Sequence, residues 1–539
     1  MATIVTRYGK GTTLTWAEMD ANLNNINTKL GESISVLDYG LTGVGDETAL
    51  LSTIITAAAG KRIDGQGMTV NISGLFNWTI PVYFYNLNFN LTNTGYCLNP
   101  KGTLGTSKSP TGVLTAGQYQ ITFPSNTGYA AGDLLFITST DAWGIYGEVK
   151  SQWAEVESTA VGGTVVTLKA PLEYAFSTSI LVYKPAMIQG LKFENCTFTG
   201  VAEDAHNQIL LRPEYIRRLS LINCKFNNVS QAFIELFRCY DISFYNVEFN
   251  NALKTGYGYG IVFDGGCELI NGFGVHGSNV RHMITSGGTQ GINRKAQFFG
   301  TICNNARNGI VDTHPSSDQF SFYGVGGSMM PGYNDDVVMM EGSRCRVKGI
   351  TVSNSAGSIS WQPSSVLADD WCELDGQHDN FQVGFDKFAF TVVNDKTSGS
   401  IREVKITGGC SNITAAGGRG VLIRNQSATV DLNSVKVNGT FKTSGLCVQV
   451  DNTAAGIIKN VVFEGYYERN NTTAEVFQFA PTASGKVTNV WVNAHIVGGT
   501  WGLRNISNYV TNMYVGCVER ITGFATAATT GTMLKPTYA

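Results

Sequence analysis

The sequence predicts an all-β protein: a right-handed parallel β-helix with a short N-terminal helix and a small inserted antiparallel β-domain. Three observations carry this. The chain is rich in glycine, 62 of 539 residues, with only 15% charged residues, and it has no heptads, so repeats are the first thing to seek. Segments that alternate apolar and polar residues return as "LKFENCTF" from Leu191, "LSLINCKF" from Leu219, "ISFYNVEF" from Ile242, "FGVHGSNV" from Phe273 and "FSFYGVGG" from Phe320, at spacings of 28, 23, 31 and 47, the last being two turns. Each segment carries Asn195, Asn223, Asn246, Gly277 or Gly324 at one fixed place, where a turn or bulge belongs. Stacked coils that bury apolar faces only against their neighbours explain this register.

In chain order, residues 1–34 form a helical attachment segment. Thr15 as N-cap with Glu18 makes a capping box, and Met19, Leu23, Ile26 and Leu30 form one apolar seam. So short a helix needs partners, either copies of itself in an oligomeric bundle or its own domain. Residues 35–112 hold a strand, a Gly-rich turn, an amphipathic helix from about Glu47 to Ala59, a second strand and the first coils. Residues 113–185 contain alternating strands joined by Gly-containing turns, as an inserted hairpin domain requires. Residues 186–520 are the body of the β-helix, and 521–539 a C-terminal tail.

A second strand column runs through the body: "IVFDG" from Ile261, "MITSG" from Met283, "IVDTHP" from Ile310, "VVMMEG" from Val337 and "ISWQP" from Ile359, spaced 22, 27, 27 and 22. The strand at Ile310 ends in Asp312, Thr313 and His314. In this alignment Asp312 takes the place of Phe263, Thr285, Met339 and Trp361, and His314 that of Gly265, Gly287, Glu341 and Pro363. His314 and Glu341 then share one lateral position on adjacent rungs, about 4.8 Å apart, with Asp312 two residues back on the same face and Asp264 two rungs before Thr313. Two readings stay open: a reactive belt, or a polar ladder with Asp312 bonded to Thr285 and His314 to Glu341.

A formal charge of -3 excludes a protein that holds nucleic acid through its phosphates, and no run reaches the roughly 18 apolar residues that a membrane span needs. The N-terminus lacks a secretory apolar core, so synthesis and folding in a cytoplasm are expected. The 11 cysteines are scattered singly, which predicts buried thiols with no structural disulfide and no metal site. No cofactor is predicted.

Val36, Asp38, Tyr39, Gly40, Gly45, Asp46 and Thr48 resemble the V-x-D-F/Y-G strand and G-D-x-T/D-T turn that open pectate-lyase-like phage tailspikes, with Glu47 where the family has a second Asp. Gly132, Asp133, Gly147, Glu148, Thr164, Val165, Leu168, Pro171 and Leu172 are similar to a small β-domain often inserted near the start of phage β-helix proteins. The opening "TRYGKGTTLTWAEMDANLNNIN" resembles the start of phage tail-fibre and tailspike chains. Arg281, His282 and Thr285, followed by Asp312, Thr313 and His314, resemble a pairing in phage appendages that act on surface glycans. The resemblance implies a homotrimeric tailspike on the virion, joined through its N-terminus to a phage tail or baseplate protein. It would contact a bacterial surface polysaccharide, capsule or O-antigen, at the host cell surface. Fold and attachment do not define chemistry.

Glycoside hydrolysis needs two carboxyl groups, about 5 Å apart for retention and roughly 6.5–9.5 Å for inversion. Asp312 with Glu341, or Asp264 with Asp312, fits the larger separation, so an endo-glycosidase is favoured, with His314 in the same belt. A polysaccharide lyase would use His314, His282 or a Tyr as base, and Arg281 against a uronate carboxylate. An esterase lacks its nucleophile-elbow serine. Candidate substrate contacts are Arg281, His282, His276, Tyr257, Tyr259, Trp361 and Trp371. Trp371 sits with Asp369, Asp370, Glu373 and Asp375 in an expected lateral loop, and Asp335 and Asp336 in a turn. Arg281, Arg294 and Lys295 offer a basic cluster for an acidic polymer. A non-cleaving receptor-binding spike and a structural shaft are the other classes; the extra lateral loops argue against the shaft.

Overall fold

The computed structural model describes residues 15, 18–19, 22, 33–201, 207–252, 254–330, 336–353, 357–379, 388–411, 418–470, 475–482, 485–498, 501–505, 510–516 and 525–526. They form a parallel β-solenoid of about 16 turns. Among the described residues its coils feed two parallel sheets, of 22 and 15 strands, and a six-stranded antiparallel sheet stands beside them.

One coil shows how the sequence closes a turn. Ile216–Ile222 runs along the larger sheet, Asn223 bends the chain at φ 50°, Lys225–Val229 follows, and Ala232–Leu236 joins the smaller sheet. Asparagine tolerates this left-handed conformation, and its amide bonds to the rung below. Asn223 Nδ2 donates to Asn195 Oδ1 at 3.2 Å and Asn246 Nδ2 to Asn223 Oδ1 at 3.0 Å. Tyr245 pairs with Phe273 and Val247 with Val275, so Gly274, not Gly277, stands opposite Asn246. The expected "FGVHGSNV" alignment is therefore displaced by three residues: Ile270 faces Ile242, and a coil through Ala296 precedes Phe320. The slip has a physical cause. Residues 271–277 are mostly glycine and polar, so too few apolar side chains alternate to fix the phase.

Inside, phenylalanines stack rung on rung: Phe89 on Phe198 at 4.9 Å, Phe198 on Phe226 at 4.3 Å and Phe226 on Phe249 at 5.1 Å. Truncating Phe198, which is fully buried, to alanine is expected to destabilise the protein by about 3–5 kcal/mol, measured by denaturant unfolding. The helix Thr48–Ala58 covers the first coils with Leu51, Ile54, Ile55 and Ala58 buried. Asp46 Oδ1 accepts from Thr48 Oγ1 at 2.6 Å at its start. Glu47, the departure from the tailspike motif, is buried, and its Oε1 accepts from the amides of Thr42 at 3.0 Å and Gly43 at 2.9 Å. It pins the preceding turn to the helix.

At the N-terminus the capping box is formed: Glu18 N donates to Thr15 Oγ1 at 3.2 Å, and Thr15 N to Glu18 Oε2 at 2.8 Å. Leu23, Ile26 and Leu30, and the tail apart from Ala525–Thr526, lie outside the described residues, as do His206 and Asp335. Ten described cysteines are buried free thiols.

The chain leaves the solenoid after Tyr96–Pro100 and re-enters at Ile188–Glu194, where Lys192 pairs with Tyr83, so stacking continues across the insertion. Between them lies the antiparallel sheet, in the order Ser107–Lys108, Leu181–Tyr183, Leu134–Ala142, Val149–Thr159, Val165–Leu168, Gln120–Thr122. This domain packs sideways onto later coils. Trp153 Nε1 donates to Gly266 O at 2.7 Å and Trp143 Nε1 to Pro315 O at 2.6 Å. Between these anchors lies a knot of charge. Arg294 is fully buried, with Nη2 2.7 Å from Glu173 and Nη1 3.0 Å from Glu268. Tyr174 and Arg344 both bond to the buried Asp318. Lys295 bridges Glu173 at 2.8 Å and Glu268 at 3.0 Å. The expected basic cluster of Arg281, Arg294 and Lys295 is thus overturned, because two of its members tie the inserted domain to the solenoid.

Candidate active site

The smaller sheet carries the site. Val311–Thr313 is bonded in register on one side to His282–Gly287 and on the other to Val338–Met340, pairing Asp312 with Thr285 and Met339. Glu341 N donates to Thr313 O at 2.8 Å, which extends the ladder to His314 and Glu341. Thr313 is buried and His314 exposed, so Asp312, His314 and Glu341 all face outward. Rungs about 4.8 Å apart and an advance of about 6.6 Å over two residues place the Asp312 and Glu341 backbones about 8 Å apart.

His314 sits between the two carboxyl groups, with Nε2 3.8 Å from Asp312 Oδ2 and Nδ1 3.6 Å from Glu341 Oε2. His282 lies behind Asp312, its Nε2 3.2 Å from the same Oδ2. Burial drives the His282 pKa down to about 4 despite the aspartate beside it, so its imidazole is neutral at ordinary pH. Tyr259 stacks on it at 5.8 Å, and Tyr257 meets Tyr259 edge-on at 6.2 Å. Arg281 Nη1 donates to Tyr259 OH at 2.9 Å and also to Gly256 O, so the guanidinium closes the tyrosine turn. Burial, reinforced by Asp312, Glu148 and Asp395, pushes the Glu341 carboxyl up to about 7. Thr285 hydroxyl turns to Ser286 O, not to Asp312, so that half of the ladder reading is absent.

In front lies an open cavity of about 500 Å³ lined by Tyr259, Val262, Thr285, Ser286, Gly287, Gly288, Thr289, His314, Glu341 and two residues of the inserted domain, Tyr146 and Glu148. The sequence reading missed Tyr146, Glu148 and Asp395. The aromatic tip "WGIYGE", between two long strands, was the one signal for the first two.

Four expected site residues fall elsewhere. Asp264 pairs in register with Gly287, and its Oδ2 is 3.4 Å from Arg212 Nη2 in a cluster with Glu214 and Glu235. Two rungs and two residues separate it from Asp312, about 12 Å, too far for the proposed carboxyl pair. Trp361 is fully buried, pairs with Met340, and donates from Nε1 to Gly342 O at 3.0 Å. It is core, and out of reach of a surface ligand. His276 belongs to Glu268–Ser278, opposite Glu248 on the larger sheet. Trp371 also lies on the larger sheet, in the strand Asp370–Asp379 where a loop was expected, under Arg346 at 5.3 Å. Its neighbours are committed to structure: Asp370 is buried against Lys396 at 3.0 Å, and Glu373 binds Arg346 at 2.9 Å. Asp336 accepts from the hydroxyls of Ser358 at 2.5 Å and Ser360 at 2.6 Å.

No protein-family model matches the chain, and no curated protein matches its sequence. Solved structures do. The tailspike Gp54 of Acinetobacter baumannii bacteriophage AP22, in complex with A. baumannii capsular saccharide, is 14% identical and superposes with a TM-score of 0.55 over 90% of this chain and 82% of that one. The tailspike protein gp49 from Pseudomonas phage LKA1 is 14% identical, with a TM-score of 0.58 over 89% of this chain and 82% of that one. The chain has the β-solenoid fold of phage tailspikes.

Proposed function

We propose that this protein is a tailspike depolymerase: a homotrimer on the virion tail that binds a bacterial capsule or O-antigen and cuts it as an inverting endo-glycosidase. One observation carries the reaction. Asp312 and Glu341 project from adjacent rungs on either side of His314, their backbones about 8 Å apart, a spacing that suits the roughly 6.5–9.5 Å between carboxyl groups that inversion needs; His314 and Glu341 line the open cleft, and Glu341 is held as a neutral acid up to about pH 7. Glu341 donates its proton to the glycosidic oxygen as the bond to the anomeric carbon breaks. Asp312, with His314 beside it, takes a proton from the water that attacks that carbon from the opposite face. One water is consumed and one new reducing end appears. The tailspike fold, and the capsular saccharide bound to the AP22 relative, support the substrate class.

The cleft also favours hydrolase over lyase. Among the described residues its lining contains no Lys or Arg, Arg281 is engaged by Tyr259 and Gly256, and Glu148 and Asp395 add negative charge near Glu341. A uronate carboxylate would meet repulsion where a lyase needs a cation. The test incubates the protein and an Asp312→Asn variant with surface polysaccharide from bacteria the phage infects. Expected are new reducing ends of inverted anomeric configuration by NMR, without the ultraviolet absorbance of an unsaturated uronate, and an inactive variant. Absorbance without hydrolysis makes it a lyase; polymer bound but intact makes it a receptor spike.

A further inference from the structure

We propose that the inserted β-domain completes the cleft, with Tyr146 contacting the bound sugar and Glu148 acting as a positioning carboxylate on Glu341. The inference rests on the glycosidase reading and adds two residues to it. Residues 143–148 join the long strands Leu134–Ala142 and Val149–Thr159, and three separate coils of the solenoid hold this loop. Trp143 Nε1 donates to Pro315 O at 2.6 Å, next to His314; Val149 N donates to Thr289 O at 3.2 Å; and Val366 N donates to Trp143 O at 2.8 Å. A loop tied at both ends is a fixed wall, in which geometry is kept by the scaffold.

Within it the two side chains have opposite characters. Tyr146 is 62% exposed at the cleft mouth, a large apolar ring that no packing of the fold accounts for. Tyr259 lines the same cavity, so a pyranose ring entering it meets aromatic surface from both the solenoid and the insert, which suits the apolar face of a sugar. Glu148 is only 4% exposed, and its Oε2 accepts from Tyr146 N at 3.0 Å. It lines the cavity with Glu341, and no lysine or arginine is among the described lining residues. A methyl group on Gly144 would stand 2.5 Å from Glu148 Oε2, so glycine is needed there for the carboxylate to occupy its place.

Glu341 is faced by Asp312 and His314 from its neighbouring rung, by Asp395 from the coils above, and by Glu148 and Tyr146 from the insert. Of these, Glu148 reaches it from a different domain. Its negative charge opposes ionisation of Glu341 and so keeps the acid protonated at higher pH.

The experiment measures kcat and KM against pH on the intact polysaccharide, for wild type, Glu148→Gln, Tyr146→Ala and Tyr146→Phe. For Glu148→Gln the alkaline limb of kcat is expected to move down by at least about half a pH unit, with kcat on the acid side within a few-fold of wild type. For Tyr146→Ala, KM is expected to rise about fivefold to tenfold at nearly constant kcat, while Tyr146→Phe stays near wild type. An unmoved limb, or loss of kcat at every pH, overturns the role given to Glu148. An unchanged KM, or an unfolding midpoint lowered by Tyr146→Ala, overturns that given to Tyr146. If no polymer is cut by the wild type, the glycosidase reading has failed by itself. Titration of the Glu341 carboxyl by 13C NMR, assigned with Glu341→Gln, then still decides whether Glu148 acts on it, and glycan binding by Tyr146→Ala decides the contact.

Discussion

Replacing Glu341 by glutamine is expected to lower kcat roughly 10²–10⁴-fold while making the protein more stable at alkaline pH, a combination that a structural carboxylate does not produce. The loss of rate follows from the proton that the leaving group needs. The gain in stability follows from linkage. Burial, with Asp312, Glu148 and Asp395, raises the folded-state pKa from 4.5 to about 7. Below about pH 4.5 the group is protonated folded and unfolded, so its contribution is fully present; as pH rises through about 7 that contribution is lost. At about 1.4 kcal/mol per unit the native state then carries a cost of about 3 kcal/mol that Glu341→Gln lacks. Thermal unfolding of both proteins as a function of pH checks this: the curves should converge in acid and separate toward pH 7. Wild-type kcat should fall tenfold per pH unit above the same point. Equal stability throughout, with an unaltered rate, would make Glu341 an ordinary rung of a polar ladder.

The fold was legible because its information is local and repeated. Alternation, Asn or Gly corners and the Val36 to Thr48 opening each state the same coil many times, so one misplaced segment around Phe273 did not change the architecture. The site was legible only where coil length is constant. Two successive 27-residue spacings correctly put Asp312, His314 and Glu341 on one face. The coils on either side measure 23 and 21 residues, where 22 was expected for each. A shift of one residue reverses which face a side chain occupies. That single step is why Trp361 was placed outside although it is core, and why Asp264 stands one place from where it was expected. Tyr146 and Glu148 were beyond this kind of reading. They reach the cleft through tertiary docking of a domain whose sequence says nothing about which coil it meets.

Removing the Arg294 guanidinium is the strongest test of that docking. Arg294→Ala leaves Glu268 to Lys295 alone, Glu173 to Lys295 and Arg344, and Asp318 to Arg344 and Tyr174 around an empty site; breaking a buried pair typically costs about 3–5 kcal/mol, and with these partners remaining the lower end, about 3 kcal/mol, is expected. The damage should be directional. The solenoid is held by its own ladders, whereas the insert is held by Trp143, Trp153 and this knot, so proteolysis within residues 107–183 should precede loss of the β-solenoid signal. Acid should do the same more gently. Burial alone would raise the Glu173 carboxyl, but Arg294 and Lys295 outweigh it and hold the pKa down to about 2. A depressed folded pKa gives stability that is present above the unfolded value and lost as pH falls through the folded one. Docking is therefore expected to weaken between about pH 4.5 and about pH 2, and Glu173→Gln should flatten this slope. The proposed depolymerase activity is expected to fall with undocking, since Trp143 carries Tyr146 and Glu148 away with the domain. If Arg294→Ala unfolds insert and solenoid in one step, or leaves the insert resistant to protease, the knot does not position the cleft wall.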